Sequence, residues 1–209
     1  LYYGASGTPT RLAKGADGTV LKLASGLPSW VAPATGAWEH VSTTGVASGT
    51  VAEIVVASLS EGYDYRVTLT GLLVTTSGAG VRLRVSTDGG SSFATGSDYN
   101  YAYHYSSSPS GHAVGAATAT SFIIISSGAG TTLNDTFSGT VELFNPRAAQ
   151  MTPCRWDIHG SNTSNHVTRF TSNGRHKVAA DIDAIQFFCT AGNFKASTGS
   201  IIVERRALA

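Results

Sequence analysis

Four tyrosines alternate with other residues in the run DYNYAYHY, from Asp98 to Tyr105. Side chains two residues apart lie on the same face of a β-strand, so a strand here would place all four rings together. Flat aromatic rings can stack on the C–H faces of sugars, and tyrosine adds a hydroxyl for hydrogen bonding. The same rings could instead pack inside the fold or against another subunit, and both interpretations stay open.

The position of each ring along the run separates the two interpretations. We expect Tyr99 and Tyr101 to pack inside the protein, because large aromatic side chains are mostly buried. The later residues run into the loop SSSPSGH, where exposure is expected. The candidate ligand contacts in this region are therefore Tyr103, His104, Tyr105 and His112.

A second polar loop, HGSNTSNHVTR, spans residues 159–169 behind Trp156. Its amides and hydroxyls suit multidentate hydrogen bonding to sugar hydroxyls. Surface loops that bind nothing have the same composition, so that alternative also stays open. The candidate ligand contacts here are Trp156, Asn162, Asn165 and His166.

The acidic residues do not form a pattern that indicates catalysis. The run STDGGSSF, residues 86–93, fits the Asp-box pattern S-x-D-x-G-x-x-aromatic. We interpret it as a turn, because Asp88 can accept hydrogen bonds from turn amides and the glycines tolerate positive φ.

Glycoside hydrolysis needs two carboxylates across a cleft. Asp181 and Asp183 would stand about 7 Å apart along a strand, and we interpret them as solvated residues at the start of that strand.

Other catalytic and metal-binding patterns are absent from the sequence. It contains no G-x-S-x-G motif, and none of its six histidines stands in H-x-H or H-x-x-x-H spacing. The two cysteines, Cys154 and Cys189, match no zinc motif, and we expect two buried thiols. We therefore predict no catalytic residue, no metal site and no cofactor, and we expect that the protein is not an enzyme.

Charge and hydropathy narrow the classes of partner. The net charge is +1 and no cluster of lysine and arginine marks a phosphate-binding stripe, so we expect no nucleic acid. The longest apolar runs are far shorter than the roughly 20 residues that a spanning helix needs, so we expect no membrane insertion. The 24 glycines and the 13% of charged residues favour short strands joined by tight turns.

From Trp38 onward the hydrophobic period is two. In YRVTLT, alternate residues place Tyr65, Val67 and Leu69 on one face, and VRLRVS repeats the pattern from Val81. We expect about ten strands before Arg206 and no helix. This pattern predicts an all-β fold, a jelly-roll-like antiparallel β-sandwich rather than parallel βαβ units.

The first 36 residues have a different pattern. Two turn signals, ADGT and SGLP, flank the short alternating stretch TVLKLA. Alone, this stretch makes at most a two-stranded ribbon, which is marginal in water. It would be stable if identical copies wrapped around one another and shared a core. We therefore expect a neck segment at residues 1–36, with PATG at 33–36 as a joint, and a tip domain at residues 37–209.

The neck closely resembles a segment of bacteriophage tail fibres and related receptor-binding proteins. The usual form of that segment is YG, an SGTPTRL-like run, G-x-D-G-x-V-L and SG-x-P-x-W. These elements stand here at residues 3–4, 6–12, 15–21 and 25–30. The resemblance implies a trimerisation segment, and the residues expected to face the other copies are Leu12, Val20, Leu21, Leu23 and Trp30.

The remainder is more loosely similar to the β-sandwich tip domains that follow such necks. The similar stretches are LSEGYDYRVTLTGL, RLRVSTDGGSSFATGSDYNYAY and IDAIQFFCTAGNFKASTGSIIVE. The chain departs from the usual ending, an aromatic-glycine pair, because it closes with ERRALA. Outward apolar residues such as Phe144, Phe188 and Ile202 would face a neighbouring subunit of the trimer.

The resemblance implies a virion protein, assembled in the cytoplasm of the bacterial host as a homotrimer. Its tip would attach the particle to the bacterial surface by binding a glycan or a protein receptor. Its N-terminal side would join other phage tail or virion proteins. Two alternatives stay open: a structural decoration fibre of the head or baseplate without a receptor, and a polysaccharide depolymerase tip.

Overall fold

The computed structural model describes residues 2–3, 9–10, 12–16, 19–24, 27–31, 36–46, 50–109, 111–195 and 199–208. Strands make up 64% of the chain, which confirms the predicted all-β fold. The only helical element in the described ranges is a 3-10 turn, Leu133–Asp135. No described helix therefore has the length and hydropathy to cross a bilayer. The chain divides into two compact units, one up to Ala37 and the other Trp38–Leu208.

The first unit, which we call the neck unit, contains two pairs of antiparallel strands. Strand β1 (Tyr2–Tyr3) pairs with β2 (Pro9–Thr10), and β3 (Val20–Ala24) pairs with β4 (Leu27–Val31). Several positions of the phage-fibre motif lie outside the described residues, namely 4, 6–8, 11, 17–18 and 25–26. The first three residues of the expected joint, 33–35, also lie outside them.

The second unit is a sandwich of two antiparallel sheets. The larger sheet has eight strands, in the spatial order β11 (Gly111–Thr120), β10 (Tyr99–Ser107), β15 (Val167–Ala180), β14 (Gln150–Ser161), β13 (Phe137–Leu143), β8 (Tyr63–Leu72), β18 (Ser200–Ala207) and β5 (Glu39–Gly45). The smaller sheet has four strands, in the order β12 (Ile123–Ala129), β9 (Ala79–Ser86), β16 (Ala184–Cys189) and β7 (Glu53–Val56). A separate short pair joins β6 (Thr50–Val51) to β17 (Phe194–Lys195).

One hydrophobic core lies between the inner faces of the two sheets. The predicted alternation on β8 and β9 is confirmed, because Tyr65, Val67, Leu69 and their counterparts from Val81 to Val85 are at most 3% exposed. The polar side chains of Arg66, Thr68 and Thr70 on the opposite face of β8, and of Arg82 and Arg84 on that of β9, are half-buried or exposed. Every second residue of these strands is therefore buried between the two sheets, as the hydrophobic period of two predicts.

The two sheets differ in width, and this difference positions the candidate site. Neighbouring strands are about 4.8 Å apart, so eight strands cover about twice the width of four. Part of the inner face of the larger sheet is therefore left uncovered by the smaller sheet. At the edge formed by β10 and β11, the inward rings of Tyr103 and Tyr105 are only half-buried, whereas Tyr99 and Tyr101 are buried as expected.

Candidate functional site

The half-buried tyrosines are placed by the pairing of β10 with β11. Tyr103 lies opposite Gly115, and Tyr105 lies opposite Ala113. A Cβ atom added at Gly115 would lie 2.5 Å from Cζ of Tyr103, so the ring occupies the space that a side chain there would fill. Small residues on the edge strand thus leave room for large rings on its neighbour.

A third aromatic ring comes from β15, on the other side of β10. Phe170 lies opposite Tyr105 and stacks on Tyr103, with ring centroids 4.8 Å apart and an interplanar angle of 27°. The Tyr105 ring is tilted against the same phenylalanine, with centroids 5.4 Å apart. The three rings are therefore held in fixed positions by one another.

These rings form one wall of a cavity that we call the aromatic pocket. Its volume is about 300 Å³, and it is lined chiefly by Tyr103, Tyr105, Ala113, Asn162, Thr163 and Phe170. This volume is at the small end of the range for ligand pockets, and it fits one or two sugar rings better than a long oligomer. Three of the predicted contacts, Tyr103, Tyr105 and Asn162, therefore meet in one place.

The turn between β14 and β15 forms the polar side of the pocket. The side-chain oxygen of Asn162 accepts hydrogen bonds from the backbone N–H groups of Ser164 at 2.9 Å and His166 at 3.1 Å. Its amide nitrogen has only a long contact, 3.5 Å, with Oγ of Ser107. Asn165 adopts a positive φ of 57°, which asparagine tolerates in such turns. The Asn162 amide therefore retains donor capacity toward the pocket.

Two further predicted contacts, Asn165 and His166, lie in this turn but do not line the pocket, and the other three lie elsewhere. Trp156 is only 2% exposed and packs edge-on against Tyr101, with ring centroids 6.4 Å apart. Its indole belongs to the core and is not available to a ligand, which corrects our expectation. His104 and His112 are exposed, but they project from the opposite face of β10 and β11 and do not line the aromatic pocket.

The outer face near His104 carries a wider and shallower groove, with a volume of about 660 Å³. Its floor consists of small residues such as Ala102 and Ala116, and one side is formed by Arg155, whose guanidinium pairs with Glu142 at 2.7 Å. Among the described aromatic side chains, only those of Tyr103 and His104 line this groove, and Phe170, on which Tyr103 stacks, does not. The smaller aromatic pocket therefore offers the more specific surface for stacking, although the groove is larger.

The Asp-box residues form the predicted turn. Asp88 accepts hydrogen bonds from the Ser92 backbone N–H at 2.9 Å, from the Ser92 hydroxyl at 2.6 Å and from the Ser86 hydroxyl at 2.7 Å. These bonds to the ionised form, led by those from Ser92, lower the pKa of Asp88 to about 2. The carboxylate therefore holds the turn together through these three hydrogen bonds.

The neighbouring acid pair is also engaged within the fold. Arg147 contacts both carboxylates, with Nε 3.1 Å from Asp181 and Nη1 3.8 Å from Asp183. Asp183 also accepts a hydrogen bond from the backbone N–H of Gly89 at 2.9 Å. Within the ranges that the structure describes, no group of three or more His, Cys, Asp and Glu side chains could hold a metal ion.

The two thiols are free cysteines. Cys154 is buried and Cys189 is half-buried, and burial raises the pKa of each thiol to about 12. A thiol with so high a pKa is protonated at neutral pH and is a poor nucleophile. Both cysteines therefore act as small apolar side chains of the sandwich.

Sequence reasoning missed two residues of the aromatic pocket, Phe170 and Gly115. Their roles depend on which strands pair with β10 and in which register, and a single strand pattern does not reveal either. No known protein family, curated protein or solved structure matches this chain. The fold and the site alone define this protein as an all-β sandwich with an aromatic pocket at one sheet edge.

Proposed function

We propose that this chain is the distal part of a trimeric bacteriophage tail fibre or spike, which attaches the virion to a bacterial surface glycan. The observation that carries the proposal is the aromatic pocket, where two half-buried tyrosines and Phe170 present fixed rings beside a polar turn. The resemblance of the neck residues to phage-fibre segments supports the viral setting.

The chemistry of the pocket suits a sugar. The rings offer flat surfaces for C–H groups, and the tyrosine hydroxyls hydrogen-bond to no other residue in the described part of the chain. The Asn162 amide and the exposed Thr163 add polar groups at the other side of the cavity. Weak binding at one site suffices, because three linked tips raise the avidity without any new contact.

The neck unit supports the trimer part of the proposal. Leu21 and Trp30 are paired across the β3–β4 hairpin, so with Leu23 they share one face, and all three are exposed. Val20 is exposed on the other face, and Leu12 is half-buried. Contiguous exposed apolar side chains on a two-stranded ribbon indicate a surface that another chain covers.

Binding to bacterial cells and to glycan arrays tests the attachment role. We expect Tyr105→Ala to weaken glycan binding by at least about tenfold, because aromatic anchors at interfaces commonly contribute about 2 kcal/mol. His104→Ala is the matched control, since it lies next to Tyr105 on the same strand but faces away from the pocket. Equal binding by wild type and Tyr105→Ala would contradict the aromatic-pocket assignment.

The same assays separate the alternatives. A structural decoration fibre would bind neither cells nor glycans, in wild-type or variant form. A depolymerase tip would release reducing sugar from host polysaccharide on prolonged incubation. Release of reducing sugar that survives Tyr105→Ala would place any catalytic activity outside the aromatic pocket.

Light scattering on a sizing column tests the assembly. We expect the wild-type chain to run as a trimer and Leu23→Asp to run as a monomer, because a charge at this position would be buried between copies. Circular dichroism of the variant should still show the folded sandwich. A monodisperse trimer of Leu23→Asp would refute the trimerisation role of the neck unit.

A further inference from the structure

A second unusual surface lies on the outer face of the smaller sheet. Arg82 and Arg84 stand two apart on β9, so both side chains project from the same face. The guanidinium carbon of Arg84 lies 4.3 Å from the ring centroid of Phe188, and that of Arg82 lies 5.2 Å from the ring centroid of Phe122. The two rings meet edge to face, with centroids 6.4 Å apart. We call these four residues the Arg–Phe face.

The two arginines lack a carboxylate partner in the described part of the chain, unlike most others of the sandwich. Six arginines elsewhere each lie within 4.0 Å of an Asp or Glu oxygen: Arg66, Arg147, Arg155, Arg169, Arg205 and Arg206. The acid nearest in register, Glu53 opposite Phe188, is hydrogen-bonded by the side-chain amide of Gln186. Even with Glu53 counted, two arginines stand against one carboxylate, so the Arg–Phe face has an excess of positive charge.

Both guanidinium groups are held in place. Nε of Arg84 donates to the Ser121 carbonyl oxygen at 3.0 Å, and Nη1 of Arg82 donates to the Ser126 carbonyl oxygen at 2.9 Å. A Cβ atom at Gly80 would lie 2.5 Å from Nη1 of Arg82, so the glycine provides the space for that group. The remaining N–H donors are thus oriented before any ligand arrives.

The environment of Arg82 also favours an anion. Its Nε is buried with no hydrogen-bond partner, and burial lowers its pKa. A cation that has lost water without gaining a counter-ion is destabilised, and a bound anion removes that penalty. Guanidinium groups recognise carboxylate and phosphate oxygens through paired N–H donors.

We propose that the Arg–Phe face binds the carboxylate or phosphate group of an acidic saccharide. The saccharide part of this inference rests on the proposed function. The charge excess selects the anion, while the half-buried rings of Phe122 and Phe188 and the exposed Val55, a diagonal neighbour of Phe188 on β7, offer apolar surface to the sugar. This surface is distinct from the aromatic pocket, which lies on the inner face of the larger sheet.

Calorimetric titration of the full chain tests the proposal with three probes: a galacturonic acid oligosaccharide, a neutral galactose oligosaccharide of equal length and inorganic phosphate. We expect the acidic oligosaccharide to bind more tightly than the neutral one, with affinity that falls as salt is raised. Arg82→Gln with Arg84→Gln should weaken it by at least about tenfold. Arg169→Gln, which removes an arginine paired with Asp157, is the matched control and should leave it unchanged.

Two milder variants keep the test valid if the double variant is unstable. Arg84→Lys keeps the charge but loses the planar donor fork, and Arg82→Lys does the same at the neighbouring arginine. We expect both to weaken binding of the acidic oligosaccharide by a few-fold and to leave the fold intact, as judged by circular dichroism. A phosphate-substituted oligosaccharide, titrated in parallel, distinguishes a phosphate ligand from a carboxylate ligand.

Several outcomes would overturn the proposal. Equal affinity for the acidic and neutral oligosaccharides would do so, as would binding of inorganic phosphate with no binding of either acidic saccharide, which would indicate an adventitious ion only. A change of molar mass in the double variant would show that this face joins copies of the chain. Tyr105→Ala separates the two sites, because it should reduce binding of the pocket ligand and leave binding at the Arg–Phe face unchanged.

Discussion

Most large apolar side chains are buried in the sandwich, but those described on the hairpin of the neck unit are exposed. In the sandwich, two sheets cover each other and large residues such as Phe187 and Leu69 are 0% exposed. In the neck unit, the described apolar side chains of β3 and β4 are between 40% and 70% exposed. The difference arises because a β-layer buries one face only when a second layer lies against it. The only other strand pair among the described residues of the neck unit is β1–β2, which has two residues in each strand and is too short to cover the β3–β4 hairpin.

This contrast assigns different sources of stability to the two units. The sandwich carries its own core, so we expect it to fold whether or not copies of the chain associate. A two-stranded hairpin is marginal in water, so we expect the neck unit to depend on association for its order. Substitutions that are chemically identical should therefore have different consequences in the two units.

Two leucine-to-alanine substitutions give the largest expected effect. Leu69→Ala removes a side chain that is 0% exposed, so it should lower the free energy of unfolding by about 2–5 kcal/mol through lost burial and a cavity. Leu23→Ala removes a side chain that is 70% exposed. It should change the free energy of unfolding of the sandwich by less than about 0.5 kcal/mol. Urea unfolding followed by far-ultraviolet circular dichroism measures both.

The two leucine substitutions should also differ in their effect on association between copies. If copies cover Leu23, then Leu23→Ala should shift the oligomer toward monomer at low protein concentration, whereas Leu69→Ala should lower the unfolding midpoint of monomer and oligomer alike. Equal losses of sandwich stability in the two variants would show that the two units do not differ as described.

The sequence predicted the sandwich better than the site, for a physical reason. Alternation along YRVTLT depends only on which face of a strand is buried, and Val67 and Leu69 are indeed in the core. The aromatic pocket depends on pairing between strands that are distant in the sequence, which brought Phe170 against Tyr103 and Tyr105. Trp156 follows the same rule, because the alternation of β14 points it inward despite its proximity to a polar loop.

The Arg–Phe face also depends on strand pairing that the pattern of a single strand does not reveal. Arg82 and Arg84 were expected on the polar face of their strand, and they do lie there. The two phenylalanines in contact with them come from β16 and from the residue just before β12, and only the register places Phe188 opposite Arg82. The exposed side of a strand is thus predictable from its own residues, whereas the chemistry of a surface depends on its neighbours.

Acidification should reveal a second difference between the units, of moderate size. His176 is buried against Tyr99, and burial lowers its pKa below the ordinary value of 6.5, although nearby Asp98 partly opposes the shift. The unfolded chain therefore binds a proton more readily than the sandwich does. The free energy of unfolding should fall as the pH drops below about 6.5 and should be fully retained above it.

Thermal melts between pH 8 and pH 5 measure this loss. His176→Gln should have a lower melting temperature at pH 8, because the buried ring is lost. Its melting temperature should depend less on pH, because glutamine does not titrate and so binds no proton in either the folded or the unfolded state. An unchanged pH dependence in His176→Gln would assign the effect to other groups. The neck unit contains no histidine, so light scattering should show the same association state over this range.

A glycine substitution in the neck unit should have the smallest effect. The indole N–H of Trp30 donates to the Ala13 carbonyl oxygen at 2.6 Å, and a Cβ atom at Gly15 would lie 2.4 Å from the Trp30 ring. Gly15→Ala should therefore displace the ring and weaken this hydrogen bond, while the melting temperature of the sandwich stays unchanged. The indole N–H resonance of Trp30 should move upfield in a proton–nitrogen correlation spectrum. Gly45→Ala is the control, because a Cβ atom there meets nothing within 4 Å, and equal shifts in both variants would show that Gly15 does not position the ring.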